Sequence, residues 1–95
     1  MKIIKTVGVA GAGKMGSAIA QKFAQEGFNV ILLDREMKFV ENGIKSIKDV
    51  LDEGVARRIF SEEKVKSILA NITPSNILKD FKKCDIIIEA IFEDY

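Results

Sequence analysis

Ninety-five residues make one small domain, which buries only about 60–65% of its unfolded surface and has correspondingly modest stability. With 47% hydrophobic and 31% charged residues and a net charge of +1, the composition is that of an ordinary globular protein, and the interleaved lysines and acids exclude the basic footprint of a nucleic-acid binder. One cysteine and no histidine exclude an internal disulfide and a Cys/His metal cluster, so no metal site is expected.

The N-terminus, Met1-Lys2-Ile3-Ile4-Lys5, starts like a signal peptide, but Lys5 interrupts the apolar stretch and glycines follow it. No apolar run reaches the length of a membrane span. The expectation is a cytoplasmic, soluble chain with no membrane partner. Residues 3–10 are rich in β-branched side chains and end in glycines, as a buried strand does. Residues 14–26 turn helical, with Met15, Ile19 and Phe23 four apart, Ala18 and Ala24 beside them, and Gly27 as the stop. Asn29 to Leu33 reads as a second buried strand closed by Asp34. A longer helix is predicted over 37–53 on the stripe Val40, Ile44, Ile47 and Leu51, ended by Gly54.

Ser61, followed by Glu62 and Glu63, is a helix start, because a hydroxyl caps the first turn and acids suit the dipole. That helix carries Val65, Ile68 and Leu69 to about Ala70. Ile72 and Thr73 before Pro74 form a short strand, and residues 85–90, with Ile86, Ile87 and Ile88, read as a strongly buried one. The order β-α-β-α-α-β-β is α/β: the front portion of a Rossmann-type doubly wound parallel sheet, with about four strands and a helical insertion before the third.

Gly11-Ala12-Gly13-Lys14-Met15-Gly16 fits G-x-G-x-x-G. Gly11 permits the tight strand-to-helix turn, Gly13 admits a pyrophosphate to the backbone, and Gly16 lets the helix lie close to the sheet. The first amides of the helix face the phosphates with the positive end of its dipole. The hexapeptide alone is weak evidence, and the alternative is a structural turn that binds no dinucleotide. Here a strand precedes it and an amphipathic helix follows. Asp34 lies 23 positions after Gly11, near the ~20 expected for the acid on the adenosine ribose. A 2′-phosphate beside that carboxylate meets like charge, at a cost of up to a few kcal/mol with an effective dielectric near 20. NAD is therefore expected rather than NADP, although Arg35 is a residue type that accommodates the extra phosphate. Lys14 either adds charge near the pyrophosphate or points into water.

The run VGVAGAGKMGSAIAQKFAQEGF over 7–28 resembles the opening of the 3-hydroxyacyl-CoA dehydrogenases, 3-hydroxybutyryl-CoA enzymes included. So do VILLD ending at Asp34, ITPS over 72–75 and CDIIIEAIFE over 84–93. The likeness covers nearly the whole chain. It implies cofactor contacts from Gly11, Ala12, Gly13, Lys14, Met15 and Gly16 at the pyrophosphate and from Asp34 and Arg35 at the adenosine. Ala90 and Ile91 would line the cofactor at the end of the last strand, with Glu93 near the nicotinamide ribose. Lys14 stands where the family more often has threonine, and contacts to CoA on the long helix are not matched.

The resemblance further implies a parent enzyme that oxidises an L-3-hydroxyacyl-CoA to the 3-oxoacyl-CoA with NAD. Its general base is a histidine paired with a glutamate, downstream of the matched segment. Residues 1–95 then form an N-terminal NAD-binding domain without the helical substrate and dimerisation domain, and with no catalytic residue of their own. Two other readings stay open: another β-hydroxyacid dehydrogenase with the same glycine turn, and an NAD-sensing regulatory module without hydride chemistry. The strand over 85–90 would belong inside a larger sheet, so the 95-residue chain is expected to self-associate through that edge.

Overall fold

The computed structural model describes residues 3–90. Four strands, β1 (Thr6–Ala10), β2 (Asn29–Leu33), β3 (Ile72–Ser75) and β4 (Ile86–Glu89), form one sheet in the order β3-β2-β1-β4. Every pairing is parallel, with Gly8 of β1 opposite both Ile31 and Ile87. Three helices, α1 (Lys14–Gln25), α2 (Met37–Ala56) and α3 (Glu62–Ala70), and a 3₁₀ helix (Leu78–Lys83) connect them. This is the α/β, Rossmann-type architecture expected from the alternation, and the order reverses direction at β1. Crevices at such reversals, outside the carboxyl ends of the strands, are where open α/β sheets bind ligands.

Alternation along β1 and β2 sorts the core into two layers. Val7, Val9, Val30 and Leu32 face the three helices and pack with Ala20, Ala24, Val40, Ile47, Leu51, Val65 and Ile68. Ala10 and Ile31 face the other way, where Phe81 of the 3₁₀ helix covers them, with Leu33 and Cys84 at the margin. At β1's start the Asp85 carboxylate accepts hydrogen bonds from the Lys5 and Thr6 amides at 2.8 and 3.0 Å, tying β4's entry to it.

Several local expectations are corrected. The first strand begins at Thr6 rather than Ile3. The buried stripe of α1 is Gly16, Ser17, Ala20 and Ala24, while Met15 is 59% exposed; small residues take the sheet-facing side because the helix axis lies close to the sheet. Gly54 does not end α2 but lies inside it, where a Cβ would collide with the Phe60 ring. The helix stops two residues later at Ala56, with Arg58 at φ 61° and the Ile59 amide donating to the Gly54 carbonyl at 2.8 Å, a left-handed stop usually made by glycine. Pro74 sits within β3, which tolerates it as the edge strand. The strand over 86–89 is not buried among the described residues, since Ile86 and Ile87 are 42% and 48% exposed. The 3₁₀ helix has no counterpart in the sequence reading.

Two ends match it closely. At the end of α1, Gly27 has φ 98°, its amide donates to Ala24, and the Phe28 amide donates to Phe23. The Phe23 and Phe28 rings meet edge to face at 5.5 Å, completing a Schellman stop. At α3, the Ser61 hydroxyl accepts from the Lys64 amide at 3.0 Å, with Glu62 and Glu63 in the first turn.

Candidate cofactor site

Gly11 leaves β1 at φ 111°, a conformation open to glycine, and its amide donates to the Leu33 carbonyl at 2.7 Å. The chain reverses into α1 so tightly that a Cβ on Gly16 would collide with the Gly11 carbonyl, and would lie 3.5 Å from Ala90. The first and third glycines thus have the roles their spacing predicted. Gly13 differs: it is extended, and a Cβ there would meet nothing within 4 Å. Its freedom faces open space, as a close approach by a phosphate requires. Lys14 and Met15 follow, both exposed at the start of α1, where amides have no acceptor in their own helix.

Asp34 stands just beyond β2. One carboxylate oxygen accepts the Ala12 amide at 2.8 Å and the other the Arg35 amide at 2.7 Å. The acid is therefore fixed against the glycine turn. Arg35 lies over the Phe39 ring, its guanidinium carbon 5.6 Å from the centroid, a cation–π distance. On the far side, the Ala90 amide donates to the Ala10 carbonyl at 2.7 Å, which seats the end of β4 beside the turn.

Gly11, Gly13, Lys14 and Met15 on one wall, Asp34, Arg35 and Phe39 on another and Ala90 on the third enclose a cleft of about 840 Å³. That is within the ~300–1,000 Å³ of small-molecule sites, at the reversal point of the sheet. Of the residues singled out from sequence, Ala12 is buried beneath this cleft, held by Asp34. Gly16 also lies below it, against Gly11. Ile91 and Glu93 lie outside the described residues. Phe39 was missed, although an aromatic four positions after Arg35, in the first turn of the next helix, was a usable signal. The groups present are backbone amides and the Lys14 ammonium as donors and the Asp34 carboxylate as acceptor. They fit a dinucleotide, which needs donors at its diphosphate and an acceptor at its ribose.

The comparisons with known proteins decide the family. Residues 6–95 match the profile described as the NAD-binding domain of 3-hydroxyacyl-CoA dehydrogenase. The chain belongs to this family. A probable 3-hydroxybutyryl-CoA dehydrogenase of Bacillus subtilis is 41% identical over 91 residues, covering 96% of this chain and 32% of that protein. The alpha subunit of a fatty acid oxidation complex from Idiomarina loihiensis is 38% identical over 93 residues, which cover 98% of this chain and 13% of the subunit. The crystal structure of (S)-3-hydroxybutyryl-CoA dehydrogenase from Ralstonia eutropha superposes with a TM-score of 0.94 at 39% identity, over 98% of this chain and 33% of that one. The chain thus spans about a third of the length of the 3-hydroxybutyryl-CoA dehydrogenases it matches. Membership in this NAD-binding family makes NAD the cofactor. Among the described residues, no helix is long and apolar enough to cross a membrane.

Proposed function

We propose that the cleft holds NAD, with the diphosphate over Gly13, Lys14 and Met15, the adenosine ribose on Asp34, and the adenosine flanked by Arg35. Gly11, Ala12 and Gly16 shape the turn, and Ala90 lines the nicotinamide side. In the longer protein this domain serves the oxidation of an L-3-hydroxyacyl-CoA to the 3-oxoacyl-CoA, together with a helical substrate and dimerisation domain and in the cytoplasm. The observation that carries the reading is the placement of the Asp34 carboxylate beside the open side of Gly13, within one cleft. Residues 1–95 contain no histidine to act as general base, so the chain alone is expected to bind the cofactor and produce no NADH from 3-hydroxybutyryl-CoA.

The test is calorimetric titration of NAD and NADP into wild type and Asp34→Ala. Loss of a charged acceptor lowers NAD affinity by about 10- to 100-fold. NADP loses less, because the repulsion of its 2′-phosphate disappears with the carboxylate. Equal losses for both cofactors would remove Asp34 from the ribose.

We also propose that the 95-residue chain pairs with a second copy along β4. This strand ends the sheet, and nothing among the described residues pairs its other side. Ile86 and Ile87 are about half exposed, with Leu78, 74% exposed, beside Ile87, and a net charge of only +1 opposes such contact little.

A further inference from the structure

A serine within a helix ordinarily returns its hydroxyl to the carbonyl four residues back. At Ser17 that carbonyl belongs to Gly13, and the Ser17 amide already uses it at 2.9 Å. Ser17 is 5% exposed, and its hydroxyl instead donates to the Ala12 carbonyl at 3.0 Å, one residue further back and inside the phosphate turn. The amide of the same Ala12 donates to Asp34 at 2.8 Å. Both peptide planes flanking Ala12 are thus held by side chains, one from α1 and one from the end of β2. The backbone of α2 closes the remaining side. A Cβ on Gly43 would lie 2.7 Å from both the Ala12 oxygen and the Ser17 hydroxyl.

We propose that Ser17 is a positioning residue for the diphosphate, acting through the Ala12–Gly13 peptide. The inference rests on the cofactor reading above. That peptide is trans, so a carbonyl drawn inward to Ser17 turns the Gly13 amide outward, toward the cleft. Without the hydroxyl, the buried Ala12 oxygen has lost its partner and gains by rotating toward water. Rotation turns the Gly13 amide away and aims a carbonyl dipole at the place where the phosphates lie. Attraction for an anion becomes repulsion, while the adenosine end of the cleft keeps Asp34, Arg35 and Phe39 in place. The loss is therefore specific to ligands that carry the diphosphate.

The experiment follows amide chemical shifts of the ¹⁵N-labelled chain during titration with NADH and, separately, with adenosine. It compares wild type, Ser17→Ala and Ser17→Cys, the last retaining the volume with a weaker donor. Ser17→Ala is expected to raise the Kd for NADH about 10-fold, to leave adenosine within about twofold, and to move the free-state Gly13 amide resonance. Ser17→Cys falls between, and it carries the comparison if the alanine variant does not fold. Equal weakening of NADH and adenosine would make Ser17 merely structural and overturn the proposal. So would unchanged NADH affinity with an unmoved Gly13 resonance. A wild-type chain that binds no NADH at all is a separate outcome, which overturns the cofactor reading on which the proposal stands.

Discussion

The two faces of the sheet are built on different scales. On one, Val7, Val9, Val30 and Leu32 are at most 1% exposed beneath three helices. On the other, a single phenylalanine from a 3₁₀ helix covers Ala10 and Ile31, and Ile87 stays half open. The helical face also carries the cofactor turn, because α1 leaves it and α2 presses on Ala12 through Gly43. Burial and binding are therefore coupled on one side and nearly independent on the other. The thin face leaves Ile87 open, and the thick face holds the turn between β1, α1 and α2.

The largest expected contrast is in stability. Leu32→Ala removes a fully buried side chain and should cost about 2–5 kcal/mol in urea unfolding. Ile87→Lys should change stability by no more than about 0.5 kcal/mol, while lowering self-association measured by sedimentation across a concentration series. A wild-type chain that stays monomeric at high concentration, or a lysine variant that associates equally, would place the contact elsewhere.

A smaller effect tests whether the thin face is packed at all. A Cβ on Gly8 would lie 2.8 Å from the Cys84 sulfur and 2.9 Å from the Phe81 ring. Gly8→Ala should therefore destabilise by about 1–3 kcal/mol and leave NADH affinity unchanged. No loss of stability would show that Phe81 moves aside freely, and a large loss of binding would show that the faces are coupled.

The smallest effect is chemical. Burial first, and the Asp85 carboxylate second, push the Cys84 thiol above its ordinary pKa. The folded chain should then react with iodoacetamide more slowly at mildly alkaline pH than the urea-unfolded chain. With the folded pKa raised, the associated stabilisation is complete below the unfolded thiol's pKa and is lost as pH rises through the folded value. Equal alkylation rates would mean that Phe81 and its neighbours do not shield the sulfur.

The contrast between faces also explains what could be read from the residues. The glycine turn, the spacing to Asp34, the Ser61 cap and the Gly27 stop are local, and each appeared where its chemistry required. The stripe on α1 was misjudged because hydrophobic periodicity rewards large side chains, whereas the buried side holds the small residues Gly16, Ser17, Ala20 and Ala24, with Gly16 against Gly11 and Ser17 against Gly43 of α2. Three consecutive isoleucines read as buried, yet burial depends on what covers them, and no periodicity encodes that. Gly54 read as a stop because its packing partner, Phe60, acts from beyond the helix end. The 3₁₀ helix went unseen because one buried phenylalanine among lysines and an aspartate leaves no pattern. In the site, the acid and glycines were legible, while the Phe39 ring beneath Arg35 and the bond from Ser17 to the Ala12 carbonyl exist only in the folded chain.

The measurement closest to the central claim is an NADH fluorescence titration of wild type beside Gly13→Val, with circular dichroism on both. A Cβ on Gly13 meets no protein atom within 4 Å and the residue is extended, so the valine variant should fold as wild type does. Its branched carbons would occupy the open side of Gly13, where the diphosphate is proposed to lie, and affinity for NADH should fall at least ~10-fold. A folded Gly13→Val chain that binds NADH as tightly as wild type would contradict the account.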